Sequence, residues 1–384
     1  MRLNDKTFDW DNYQGKFSSR SKESVLKIMD DYYNNTELPV SKIYEKYAID
    51  KNIRSLPKEF PKEIVDEVCP YDSSHLEEWL PSRTGHAAYR IPECPKCGHK
   101  EEYNCSCVGC LNKAEEEKKK QRELIISTYL TDVPKVKYES LSVRDKVFLS
   151  ALLRSGLNEE MTKIIGNSLV ENKMSPTADF DREILNELES KQVILVDPQS
   201  PIDAFVKENF PHSYYVHEVN YLLNIDTDVT DISAIEYPNR EEIIKNRDEC
   251  LQIWKEIAEA ECYAYLQDQM QRKRFMFNPG PKTKLVIDHL LEEYSVCQIR
   301  NLIWGSVKDA AAWYQEGNIS KKHAANSVIT RLNNKGEHAK AENWNLKPFH
   351  TENEFNQVSR VLFDSILQIG RNGFEKTISM DYIG

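Results

Sequence analysis

Five cysteines fall within the seventeen residues 94–110, and this cluster constrains the chain more than any other feature. It reads Cys94-Pro95-Lys96-Cys97-Gly98-His99, then Cys105-Ser106-Cys107-Val108-Gly109-Cys110. Two Cys-x-x-Cys pairs, Cys94/Cys97 and Cys107/Cys110, are separated by nine residues. That spacing lets two knuckle turns face each other and close a tetrahedral thiolate cage around Zn²⁺. Pro95 fixes φ and Gly98 tolerates the tight return of the backbone, as a knuckle requires. A four-thiolate cage keeps no position open for water, so the expected zinc is structural rather than catalytic.

Disulfides and redox thiols are the competing readings. Disulfides need an oxidising compartment. The polar start Met1-Arg2-Leu3-Asn4-Asp5 does not read as a secretory leader, and no apolar run approaches the length of a membrane span. Cys250, Cys262 and Cys297 are scattered through helical-looking sequence, as buried thiols in a reducing cytosol would be. The expectation is a cytoplasmic, zinc-binding chain without a membrane partner.

The ligand set is open at this level. One Zn²⁺ held by Cys94, Cys97, Cys107 and Cys110 is the favoured assignment. Cys105 and His99 lie within reach of the same knuckles, and Cys69-Pro70-Tyr71-Asp72 looks like half of another. The alternative is therefore two ions: Cys69, Asp72 or His75, Cys94 and Cys97 around one, and His99, Cys105, Cys107 and Cys110 around the other. Residues 94–110 resemble the zinc-ribbon and zinc-knuckle superfamily. Cys105 departs from the plain four-cysteine ribbon and keeps the two-ion division alive.

At 384 residues the chain has room for several cores, and its net charge of −11 argues against indiscriminate coating of nucleic acid. The acidity is uneven. Residues 171–270 hold 22 Asp/Glu against 8 Lys/Arg, so the remainder is slightly basic. A local cationic surface outside the middle is therefore compatible with the composition.

Residues 1–56 read as a helical region. Val25, Ile28, Met29, Tyr32 and Tyr33 recur at helical spacing behind Ser21, and Ser41 is placed to cap a second helix carrying Ile43, Tyr44 and Tyr47. The string Val40-Ser41-Lys42-Ile43-Tyr44-Glu45-Lys46-Tyr47-Ala48-Ile49 resembles the helix-turn-helix of resolvases and sigma-like factors. Tyr44 stands where a small residue is usual, and Ala48 where the turn glycine is usual. A third, DNA-reading helix would have to fit before Pro57 and Pro61. The resemblance puts Lys42, Lys46 and Arg54 forward as nucleic-acid contacts, with Lys96 and Lys100 on the zinc knuckle. The plainer alternative is a helical hairpin packed on the zinc segment.

Residues 57–112 form the zinc segment, with a proline-rich, loop-like approach. Residues 113–140 are a polar helical linker whose Glu115–Lys120 run places opposite charges one turn apart. Residues 141–237 suggest helices behind Ser142, over 158–166 and over Ala178–Ser190, then a strand Val193-Ile194-Leu195-Val196. The strings Ile184-Leu185-Asn186-Glu187-Leu188 and Val193–Val196 resemble the winged-helix superfamily. Asp179, Asp181, Glu183, Glu187 and Glu189 on the would-be recognition helix oppose DNA contact and favour packing or protein contact. Residues 213–235, rich in Tyr, Val and Ile from Tyr214 to Leu222, read as one or two strands.

Residues 238–384 read as a helical bundle: a long helix behind Asn239, then helices near 282–294, 296–316, 320–342 and 354–370. Two basic patches lie here, Arg272-Lys273-Arg274 with Lys282 and Lys284, and Lys321 to Lys340. Each is a solvated face by default and a phosphate contact in the functional reading, with Phe275, Phe277 or Trp344 available to stack bases. No P-loop, dinucleotide fingerprint, nucleophile elbow or His-Glu-x-x-His occurs, which lowers the expectation of an enzyme. The chain is thus expected to be mainly α and multi-domain, a zinc-containing regulator or sensor that binds DNA or RNA. A protein-docking scaffold and an enzyme with an unrecognised C-terminal site are the alternatives.

Overall fold

The computed structural model describes residues 3–83, 91–102, 104–130, 132–166, 168, 172–227, 230–317, 319–351 and 355–383. The fold is mainly helical, with two small antiparallel sheets among the described residues. The chain divides into two compact units, Met1–Lys120 and Gln121–Gly384.

In the first unit, the Ser21 hydroxyl accepts the Ser24 N–H and starts α1 (Lys22–Tyr33). Its apolar stripe buries the five residues anticipated from the spacing, Val25, Ile28, Met29, Tyr32 and Tyr33. The second helix, α2 (Val40–Lys46), starts behind Pro39, so Ser41 lies inside it and does not cap it. Ala48 takes the left-handed conformation (φ 47°) at the turn that follows, where a glycine would be unstrained. The third helix needed for a DNA-reading unit does not form. In its place stands the single 3₁₀ turn Leu56–Glu59, whose Leu56 and Pro57 are buried. Phe8, Phe17, Ile43, Ile53, Leu56, Phe60 and Leu80 close one apolar cluster on α1. What the sequence suggests as loop includes a hairpin: β1 (Glu63–Val68) pairs antiparallel with β2 (His75–Glu78), Val68 opposite His75.

Helix α3 (Val108–Tyr129) begins inside the cysteine cluster and is largely exposed; Ile125 is its one buried residue. The division between the units falls within α3.

The second unit holds one continuous apolar core. Ser142 and Asp145 form a capping box that starts α4 (Val143–Gly156), and Thr177 caps α5 (Ala178–Ser190). The segment 158–166, expected as a helix, is a turn closed by Asn158 and followed by a single bridge residue, Ile164. Ile164 bridges Leu157 and Tyr221, and Asn158 satisfies the backbone of Thr162 and Lys163. The winged-helix order of three helices before the strand is therefore not the one seen. Strands β3 (Ile194–Val196) and β4 (Tyr221–Leu223) pair antiparallel, with Val196 opposite Tyr221.

Two short helices, α6 (Ile232–Glu236) and α7 (Arg240–Ile243), lead into α8 (Arg247–Arg272). Asn239 caps only the short α7, and Asn246 caps the long helix. Pro281 occupies the first turn of α9 (Pro281–Glu293), where its missing N–H is no loss. The hairpin α10 (Val296–Gln315) and α11 (Lys321–Ala341) starts at the caps Ser295 and Ser320. Of the last expected helix, position 354 lies outside the described residues. Gln357–Ser359 continues there as a π-helical stretch, Arg360–Ile366, that packs on α4 and α8.

Residues 141–237 and 238–384 share a single core, against the two domains suggested by sequence. Trp254 of α8 is fully buried and donates its indole N–H to the Gly373 carbonyl at 2.8 Å. At the bundle centre the Arg300 guanidinium, 1% exposed, meets the Glu261 carboxylate at 2.7 Å. The other Glu261 oxygen accepts from the Asn356 amide at 2.9 Å. Breaking a buried pair from one side leaves an uncompensated charge. Arg300→Leu should therefore cost about 3–5 kcal/mol of unfolding free energy, and Glu261→Leu in the same chain should recover much of it. A denaturant midpoint unchanged by Arg300→Leu would refute this.

Candidate metal centres

The hairpin β1–β2 and the first turn of α3 bring cysteines from separate stretches of chain together. Among the described residues they form two groups, Cys69, Asp72, Cys94 and Cys97, and His99, Cys105, Cys107 and Cys110. Within each group the ligand atoms all lie within 4.8 Å of one another.

The first group is built on two turns. After β1, the Cys69 carbonyl accepts the Ser73 N–H at 2.9 Å, and the Cys69 N–H bonds to the Ser74 carbonyl at 2.7 Å. This tight return faces Cys69 and Asp72 toward the knuckle Cys94-Pro95-Lys96-Cys97. There Gly98 is left-handed (φ 71°), and its N–H reaches the Cys94 carbonyl at 2.9 Å. The Cys69 and Cys97 Sγ atoms are 3.5 Å apart, and Cys94 Sγ is 3.2 Å from Asp72 Oδ2. The Ser74 N–H donated to Asp72 holds its carboxyl well below the usual range, which keeps it an anion ready to ligate. His75 is exposed on β2, with Nδ1 3.3 Å from the Val65 carbonyl oxygen, outside the group. Of the two residues considered for the fourth position, the fold brings in Asp72.

The second group centres on the buried His99. Its Nδ1 is 3.6 Å from Cys105 Sγ, 3.7 Å from Cys107 Sγ and 3.4 Å from Cys110 Sγ. Backbone N–H groups support the sulfurs: Lys100 donates to Cys105 at 3.3 Å, and Cys110 donates to Cys107 at 3.3 Å. The N–H groups of Cys107 and Lys100 lower the Cys105 thiol to about 6, which favours the thiolate. Cys110 rides on the first turn of α3, whose N-terminal partial positive charge would favour a metal-bound thiolate there.

Tetrahedral ligands about 2.0–2.3 Å from Zn²⁺ stand roughly 3.3–3.8 Å from one another. The measured S···S, S···O and S···N separations fall in or close to that range, and all nine cysteines are free thiols. Both donor sets fit Zn²⁺. The favoured single cage is not the grouping seen: Cys94/Cys97 and Cys107/Cys110 belong to different groups. The grouping is that of the two-ion alternative, with Asp72 rather than His75 in the first set.

Half of the eight sequence-suggested cationic contacts are engaged in ion pairs. Lys42 binds Glu45 at 2.7 Å, Lys46 binds Asp31 at 2.6 Å, and Lys100 lies 3.7 Å from Glu93. Arg54 and Lys96 are exposed. Arg272 pairs with Asp268 at 2.8 Å, while Lys273 and Arg274 are exposed at the end of α8. Phe275, suggested as a stacking surface, is buried in the core instead; Trp344 is exposed. On α5, Glu187 pairs with Arg144 and Lys191, and Asp179 with Arg182, so several of its acids serve internal ion pairs.

No protein-family model matches the chain, and neither a characterised protein nor a solved structure does. The metal centres therefore rest on their own geometry.

Two Zn²⁺ per chain are expected in the purified protein. Among the described residues, and apart from the ligand cysteines, only Leu76 and Val65 pack together beside them, too little to offset the chain entropy of this segment. Zn²⁺ in these groups would supply the difference, on the order of 10 kcal/mol for a structural site. The pair Cys97→Ser and Cys107→Ser should make residues 69–110 protease-sensitive while Gln121–Gly384 stays folded. Metal analysis near zero, with protease resistance retained after chelation, would contradict this.

Proposed function

We propose that the chain is a non-catalytic, zinc-stabilised binding protein that acts as a nucleic-acid-associated regulator or sensor. The observation that carries the non-catalytic part is the pair of four-ligand groups, each of which would fill a tetrahedral ion and leave no position for substrate or water. Nucleic acid is favoured by two features in one unit: the capped helical hairpin α1–α2 and the two metal centres. Exposed Arg54 and Lys96 are its proposed phosphate contacts. Nine free thiols fit a reducing compartment, and no described helix is long and apolar enough to cross a membrane. We place the protein in the cytoplasm on the strength of its thiols.

The second reading, a protein-docking module, is favoured by the ion pairing of Lys42, Lys46 and Lys100 and by the exposed apolar side chains Val108 and Leu111 beside the second centre. Titration of the zinc-loaded chain with duplex DNA and with single-stranded RNA at several salt concentrations separates the two. Log affinity should fall with log salt by about one for each phosphate neutralised, and Arg54→Ala with Lys96→Ala should lower that slope by about two. A flat salt dependence, or no binding at low salt, rejects nucleic acid and favours docking to a protein.

A further inference from the structure

Tyr71 lies between two ligands of the first centre, Cys69 and Asp72, yet its side chain belongs to the second. Its hydroxyl donates to Cys110 Sγ at 3.2 Å, and its ring meets the His99 imidazole edge-on at 5.2 Å between centroids. The ring also covers Gly109 so closely that a Cβ there would lie 2.4–2.6 Å from ring carbons. Only glycine accommodates this approach, which gives Cys107-Val108-Gly109-Cys110 a reason for its small residue. A second connection runs through the backbone. Gly98 alone separates Cys97 of the first centre from His99 of the second, and the Cys94 N–H donates to the His99 carbonyl at 2.8 Å.

We propose that Tyr71 is a positioning residue that couples the two metal centres, so that an ion in one raises the affinity of the other. This rests on the zinc reading above. Metal at Cys69, Asp72, Cys94 and Cys97 fixes the loop that carries Tyr71. The fixed hydroxyl then donates to the Cys110 thiolate, and the ring orients His99, as outer-shell partners of metal ligands do. Without the first ion the loop gains conformational freedom, and the second centre loses this support. Linkage makes the effect reciprocal, so losing the second ion loosens the first by the same factor.

A double-mutant cycle on the full chain tests this, with Zn²⁺ affinity read by competition with a chromophoric chelator. Co²⁺ substitution identifies which centre is filled, since the three-thiolate-plus-oxygen and three-thiolate-plus-nitrogen sets absorb differently. Wild type should take up two ions together. Tyr71→Ala, which leaves all eight ligands in place, should weaken the second centre 10–100-fold. Tyr71→Phe keeps the ring and loses the donated bond, so it should show a smaller loss. Cys69→Ser, which removes a first-centre ligand, should weaken the second centre comparably. Adding Tyr71→Ala to Cys69→Ser should cost little more, because both act through one loop. Unchanged second-centre affinity in both Tyr71 variants, or fully additive losses in the double variant, would overturn the coupling while leaving two ions bound. A wild-type chain that binds no metal would instead remove the zinc reading itself.

Discussion

The two cysteine-rich ligand groups, each able to hold a metal ion, are the constraint on which the segment around residues 69–110 depends. Val68 and Trp79, which might have supplied a core there, are exposed, and Leu80 packs into the cluster on α1. Among the described residues, Leu76 is the one large apolar side chain buried among the cysteines. Ordering a residue costs about 1–2 kcal/mol of backbone entropy, and the short hairpin β1–β2 cannot repay that for so many residues. Eight ligand side chains in two groups are the remaining source of cohesion. Their placement also gives the local sequence its sense: left-handed Gly98 ends one knuckle, and α3 opens with its positive end toward the other.

The second unit is held by different physics. Its helices bury a continuous apolar core that includes Phe148, Leu185, Trp254, Ile303 and Phe363. Cys250, Cys262 and Cys297 sit within that core as ordinary buried thiols, as their scatter in the sequence suggests. Arg300, Glu261 and Asn356 form a buried polar network inside it. Such a network adds little net stability over an apolar replacement, but it penalises any packing that separates its members. Neither the core nor the network requires metal.

What could be read from the sequence was local. Ser21 and Ser142 each cap the helix that follows, as their positions in the sequence suggest, because a cap and its N–H partner lie within three residues. Errors arose where a distant partner decides. Residues 158–166 have helical spacing, but Ile164 pairs with Tyr221 across the chain, and that pairing wins. Asn239 is a sound cap, yet it serves a four-residue helix, and the chain restarts at Asn246. In the metal segment the two Cys-x-x-Cys pairs are plain, while the choice between one shared cage and two separate groups stays open until the fold decides it. His99 follows Cys97 by two residues yet joins the other group, since the turn at Gly98 reverses the chain between them.

The same long-range logic bears on function. A run of lysines and arginines marks a phosphate-binding face only where folding leaves the charges unspent. Here Lys42, Lys46, Lys284, Lys335 and Lys340 each meet a carboxylate, so cationic sequence and cationic surface are not the same thing in this chain. Filled by Zn²⁺, the two groups would push the same way: three thiolates and a carboxylate, or three thiolates and an imidazole, more than neutralise the ion. A polyanion near them would have to be drawn by exposed cations such as Arg54 and Lys96. The second centre offers something else beside its ligands, with Tyr71, Val108 and Leu111 exposed. If the first unit binds a polyanion, it does so through Arg54 and Lys96, while the apolar rim of the second centre is better suited to a protein surface.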